Sequence, residues 1–219
     1  ISNLERGKRK PSLESLNALA GFFKKEISYF LEEKKESLDA LFRGQGIEKK
    51  ASRSLKKFVS YCQEYLRLED LTGRRTELAP LYTNVSAERM ADEERRRLGL
   101  GAEPVRDVFT LFELNGLHFL RMPFAEDSHI SGAFIFFEAK GVAFAAVNSA
   151  QIPELQAFTA AHQYCHYLKD RDSAPIIDNP DILIDEYLSL YHPREKFAYK
   201  FAVRFLVPPS KMVEVIDKD

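Results

Sequence analysis

The sequence predicts an α+β protein in which a mostly helical N-terminal part precedes a domain with a small sheet and a helix carrying the pattern H-x-x-x-H. Three observations predict it. Apolar residues recur at three- and four-residue steps through much of residues 11–71, and β-branched and aromatic runs broken by glycine follow from Val108. The helical step then returns in residues 154–169 and 194–206.

In PSLESLNALAGFF, residues 11–23, Leu13, Leu16, Leu19, Ala20 and Phe23 mark one face of an amphipathic helix. Pro11 and Ser12 suit its start, and Glu14 in the first turn complements the helix dipole. A second short helix is expected after Ser28, with Ile27, Phe30 and Leu31 as its apolar contacts. Residues 36–71 read as two more helices separated by Gly44 and Gly46, the second bearing Leu55, Phe58, Val59, Cys62, Tyr65, Leu66 and Leu68. The pattern breaks between Thr72 and Asn84. AERMADEERRRLGLG is then a charged helix closing at glycine, and its four acids against four bases predict a solvated face. LFELNGLHFLRM, SGAFIFFEAKG and VAFAAVNS read as three strands, the last two a hairpin around Glu138 to Gly141. Helix 154–169, a loop through DRDSAPIIDNP and a helix from Arg194 to Leu206, ended by Pro208 and Pro209, complete the order.

Composition narrows the function classes. The 219 residues are 45% apolar and include 17 Phe and 9 Tyr, enough to build a core. No apolar run approaches the ~20 residues that span a bilayer, and ISNLERGKRK lacks the apolar stretch of a secretory signal, so no membrane partner and a cytoplasmic protein are expected. Cys62 and Cys165 lie too far apart in sequence to suggest a disulfide framework. With a net charge of −1, any nucleic-acid affinity must come from a local patch. Neither G-x-x-x-x-G-K-[ST] nor G-x-G-x-x-G occurs, which removes support for nucleotide-phosphate chemistry. The chain opens on Ile rather than Met and is read as a piece of a longer protein.

The chemistry concentrates in FTAAHQYCHYLK, residues 158–169. Four residues advance a helix by roughly 400° and 6 Å, placing His162 and His166 on one face, one turn apart. Both imidazoles can then reach one ion at about 2.0–2.1 Å. A third ligand is needed. Glu195 stands at the start of the helix whose stripe is Phe197, Ala198, Phe201, Ala202, Phe205 and Leu206, where an unpaired buried carboxylate would cost several kcal/mol. A metal ion would pair it. The competing reading is that Glu195 only caps its helix; His192, Asp185, Glu186 and Cys165 are the rival ligands.

FTAAHQYCHYLK, followed by E-x-F-A-x-x-F-A-x-x-F-L-x-P, resembles the ImmA/IrrE family of zinc metallopeptidases. RRLGLG, LFELNGLHFLRM, ISGAFIF and AVNS follow in the family's usual order, so the resemblance covers about residues 86–209. It implies a compact zincin-like fold with Zn2+ held by His162, His166 and Glu195. The family's catalytic glutamate, the general base, falls at Gln163. A glutamine can hold a water by a hydrogen bond but takes no proton, so base assistance worth roughly 10²–10⁴-fold should be missing. A deliberate silencing substitution and a natural pseudo-peptidase both explain Gln163, and the intact surrounding motif favours the first.

Residues 1–33 are similar to the latter part of the helix-turn-helix domain of phage-repressor-like regulators, in which I-S-x-L-E-R-G-x-x-x-P-S closes the recognition helix. The resemblance makes Ser2, Asn3, Arg6, Lys8 and Lys10 candidate DNA contacts, with Lys and Arg best suited to phosphates. The expected organisation is residues 1–35 as part of that domain, 36–73 as a helical linker and 74–219 as the peptidase-like domain. The implied function is a regulatory zinc-dependent endopeptidase that cleaves a repressor or other regulatory protein, joined to a DNA-binding domain, with a homodimer of the full-length protein as the expected assembly. The alternative is a non-catalytic transcription regulator or antitoxin-like protein whose zincin domain senses a metal, ligand or partner.

Overall fold

The computed structural model describes residues 12–24, 26–27, 51–73, 76–124, 130–173, 175–178 and 193–211. The chain divides into two compact units, Ile1–Arg43 and Gly44–Asp219. Among the described residues, the first contributes helix α1, Leu13–Phe23. Ser12 caps it by accepting from Ser15 N at 3.2 Å, Leu16 and Ala20 are buried, and Lys24 closes it in the left-handed region.

The second unit is α+β, with a small mixed sheet of four strands: β1 (Leu117–Met122), β2 (Gly132–Phe137), β3 (Val142–Asn148) and β4 (Ile176–Asp178), in the order β1-β3-β2-β4. β2 and β3 form the antiparallel hairpin expected around Glu138 to Gly141, where Gly141 takes a positive φ. β1 runs parallel to β3, and β4 antiparallel to β2. β3 is buried over Val142–Val147, which requires cover on both faces. Helix α5, Pro153–Lys169, lies against β2 and β3 on one side. Here Ala143, Ala145 and Val147 supply the small inward side chains. On the other side helix α2, Ala51–Thr72, brings Tyr65 edge-on to Phe144 at 5.5 Å between ring centroids. No helix among the described residues is long and apolar enough to cross a membrane.

Three local expectations are corrected. LFELNGLHFLRM is not one strand: Val108–Glu113 is helix α4, capped by Asp107, which accepts from Thr110 N at 3.1 Å. Val108 and Phe112, four residues apart, are its buried face. Gly116 then turns the chain into β1 with φ +91, at a point where a Cβ would strike the Glu77 carbonyl and lie 2.6 Å from the Tyr167 hydroxyl. The expected loop DRDSAPIIDNP contains β4, whose Ile176 is buried against β2.

The third correction concerns helix α3, Ala87–Arg97, which is not a solvated face. Ala87, Met90, Ala91, Glu94 and Arg95 form its buried stripe, two of them charged. Arg95 is anchored by carbonyls, donating to Phe205 O at 2.6 Å, Gly101 O at 2.5 Å and Glu103 O at 2.7 Å. Its charge meets the C-terminal end of helix α6, Pro193–Leu206, where the dipole favours a cation. Arg204 and Asp92 add a bidentate pair at 2.8 and 2.7 Å between the same two helices.

Candidate metal centre

α5 begins with Pro153 at its first turn and is buried without interruption from Thr159 to Leu168. A helix buried all round presents polar side chains only where something receives them. His162 and His166 are received by α6. Their Nε2 atoms lie 3.1 Å apart, and Glu195, in the first turn of α6, brings Oε2 to 3.1 Å from His162 Nε2 and 3.3 Å from His166 Nε2. The side chains of His162, His166 and Glu195 are 3%, 0% and 13% exposed, so bulk water does little to satisfy them.

These distances suit a metal ion. Tetrahedral donors about 2.0–2.1 Å from an ion stand roughly 3.3 Å from one another, close to the triangle of 3.1, 3.1 and 3.3 Å found here. Two imidazoles and a carboxylate form a donor set for first-row transition metals. Among the described residues this is the one group of three or more His, Cys, Asp or Glu with potential ligand atoms all within 4.8 Å of one another. The cluster could hold a metal ion.

Electrostatics agrees with the geometry. Burial pushes the Glu195 carboxyl up, but the hydrogen bonds from His162 and His166 outweigh it and hold the group far below the usual carboxylate range. Burial pushes His166 down, yet hydrogen bonds to Asp170 and Glu195 leave its pKa raised. Both directions mean that the centre of the cluster favours positive charge, whether a proton on an imidazole or a cation among the three donors.

Neighbouring contacts hold the donors in place. His166 Nδ1 lies 3.0 Å from Asp170 Oδ2, and Arg194 Nε donates to Glu195 Oε1 at 3.1 Å, leaving Oε2 for the imidazoles. The Phe158 ring stands 6.3 Å from the His162 ring and 5.3 Å from Tyr199. Gln163 is buried against β2. A Cβ at Gly132 would lie 2.8 Å from Gln163 Nε2 and 2.6 Å from Thr159 Cγ2, so glycine at 132 is what lets α5 approach the strand this closely.

The fold thus brings together His162, His166 and Glu195, with Gln163 one residue along the same helix. The carboxylate of Glu195 faces the two imidazoles rather than serving only as a cap. Cys165 is a buried core residue. Asp185, Glu186 and His192, and the candidate DNA contacts Ser2, Asn3, Arg6, Lys8 and Lys10, lie outside the described residues. The sequence reading missed Asp170 and Arg194. Asp170 was findable, since His162, His166 and Asp170 continue one four-residue step along the helix face. Comparison with protein-family models and with curated proteins finds no match to this chain, so the chemistry of the centre rests on its own residues.

Proposed function

We propose that residues 74–219 carry a zinc peptidase centre of the ImmA/IrrE kind, in a regulatory protein whose N-terminal part binds DNA, and that Gln163 silences it. One observation carries the reading: Nε2 of His162, Nε2 of His166 and Oε2 of Glu195 converge within 3.3 Å. Two histidines and a glutamate are a donor set of catalytic zinc sites, which keep a further position open for water or substrate. A zinc ion held by His162, His166 and Glu195 would supply Lewis acidity toward a scissile carbonyl and lower the pKa of a water to about 7.

The chain's own residues supply the remainder. His162 and His166 present their ring nitrogens from a helix buried from Thr159 to Leu168, and Glu195 adds a carboxylate from a second helix. Position 163 lies one residue past a ligand, where a carboxylate would take the proton of the attacking water and return it to the leaving amine. The amide of Gln163 can hold a water by a hydrogen bond but can do neither. The metal site survives the change, because residue 163 is not one of the three donors.

The substrate class is what the ImmA/IrrE resemblance implies: a repressor or related regulatory protein, often of the helix-turn-helix type, met in the cytoplasm. Dimers of the complete protein would place two such domains on paired half-sites. The test is Gln163→Glu, with zinc, against a panel of helix-turn-helix repressors. Cleavage should rise by roughly 10²–10⁴-fold, the worth of general-base assistance. No gain across the panel would count against a peptidase.

Gln163 itself favours a second reading, a non-catalytic transcription regulator or antitoxin-like protein in which the same centre senses a metal or partner. In that case zinc binds, Gln163→Glu cleaves nothing, and DNA affinity of the complete protein changes with zinc.

A further inference from the structure

We infer that Asp170 is a positioning residue of this centre: its carboxylate fixes His166 in the tautomer and ring orientation that turn Nε2 toward the metal position. The inference rests on the metal reading above and adds a residue that neither the H-x-x-x-H pattern nor the family resemblance includes.

His166 Nδ1 and Asp170 Oδ2 are 3.0 Å apart. An ionised carboxylate only accepts, so the proton of this hydrogen bond belongs to Nδ1. Without a metal a second proton on Nε2 can meet Glu195 Oε2 at 3.3 Å; once a cation displaces that proton, the Nδ1 assignment leaves Nε2, the atom facing His162 and Glu195, with its electron pair for the metal. The opposite tautomer would set the Nδ1 lone pair against the carboxylate and aim an N–H at the metal position. The Asp170 contact therefore selects the form that binds a cation.

Asp170 is itself held. It is the C-cap of α5, its N–H donates to His166 O at 2.7 Å, and its carbonyl accepts from Ser173 N at 2.8 Å. Its side chain is 14% exposed and that of His166 is fully buried, so water is a poor substitute for either partner. The placement also runs against the helix dipole, which disfavours a carboxylate at a C-terminus. An imidazole that gains positive character on binding a metal offsets that cost, and the offset grows with the metal in place.

The test measures zinc affinity of the full 219-residue chain by competition with a chromophoric chelator. Asp170→Ala should weaken zinc 10–100-fold, the usual cost of losing such an outer contact. Asp170→Asn, whose amide oxygen still accepts from Nδ1, should fall between the alanine variant and the parent. In a His166→Ala background Asp170→Ala should add nothing, because the ring through which it acts is gone. If Asp170→Ala fails to fold, 15N NMR of the zinc-loaded parent decides: the His166 ring should show a protonated, hydrogen-bonded Nδ1 and a metal-bound Nε2. The inference is overturned if Asp170→Ala binds zinc within about twofold of the parent. It also falls if the loss is as large without His166 as with it, or if the NMR shows Nδ1 as the metal ligand. A parent chain that binds no zinc would overturn the metal reading first and this inference with it, whereas a parent that binds while all Asp170 variants match it would sink only the inference.

Discussion

The two sides of α5 bury polar groups in opposite ways. On one, Glu94 accepts from four donors: Tyr164 Oη at 2.5 Å, Tyr82 Oη at 2.9 Å, Arg97 Nε at 2.7 Å and an Arg97 terminal nitrogen at 2.6 Å. Tyr167 accepts from Ala79 N at 2.6 Å and donates to Asn115 O at 3.0 Å. On the other side, two ring nitrogens and a carboxylate oxygen crowd within 3.3 Å of one another. The Glu94 side matches each acceptor with protons, whereas on the His162 side, with neutral imidazoles and the His166 proton on Nδ1, three atoms carry electron pairs and share at most one proton. A buried cluster that balances donors and acceptors holds a fold together; one with surplus acceptors at ligand spacing is fitted to a cation.

The hardest blow to this contrast would fall on the surplus side. Structural zinc sites bind with roughly 10–16 kcal/mol, so one of three protein ligands carries roughly 3–5 kcal/mol, or about 10²–10⁴-fold in affinity. His162→Ala and His166→Ala should each lose that much, and the rise in melting temperature on adding zinc should vanish with it. Tyr164→Phe, on the balanced side, should leave zinc affinity unchanged. Equal affinities for His162→Ala and the parent in a chelator competition would end the metal assignment.

The balanced side should respond in stability instead. Glu94→Gln replaces a fully buried carboxylate that pairs with Arg97, and breaking a buried pair costs roughly 3–5 kcal/mol. The Arg97 side chain is 33% exposed and can recover hydration, which points to the lower end, about 3 kcal/mol. Chemical denaturation should show the loss while zinc affinity stays within about twofold of the parent. A fall in zinc affinity matching that of His166→Ala would mean that the two sides are one network.

The surplus side was legible in the sequence and the balanced side was not, for a physical reason. His162 and His166 announce themselves because one helical turn is four residues, and Glu195 because a carboxylate stands beside an apolar stripe. Glu94 and Arg95 hide in AERMADEERRR, where counting charges suggests solvent. Their burial follows from position: 87, 90, 91, 94 and 95 step along one helix face whatever they carry. Val108–Glu113 was misread because six apolar-rich residues are too few to separate a period of 2 from one of 3.6. β4, three residues long, has no periodicity to read and exists only because β2 offers it an edge.

The smallest expected effect lies where α5 meets the sheet. In Gly132→Ala the new methyl would meet Thr159 Cγ2 at 2.6 Å, Gln163 Nε2 at 2.8 Å and Ala146 O at 3.1 Å. The Gln163 amide ends a flexible side chain and can move; Thr159 Cγ2 sits one bond from Cβ on a buried helix and has few rotamers to escape into. Overpacking of this kind costs about 1–3 kcal/mol, and the single methyl argues for about 1–2 kcal/mol. Thr159→Ser removes the colliding carbon, so Gly132→Ala with Thr159→Ser should be more stable than the two separate losses sum to. Zinc affinity should follow only if α5 moves as a rigid body, carrying His162 and His166 away from Glu195. If stability falls, Thr159→Ser restores it and zinc affinity never changes, the strain is taken up by Gln163 and Thr159 alone, and position 163 tolerates displacement without disturbing the candidate ligands His162 and His166 on either side of it.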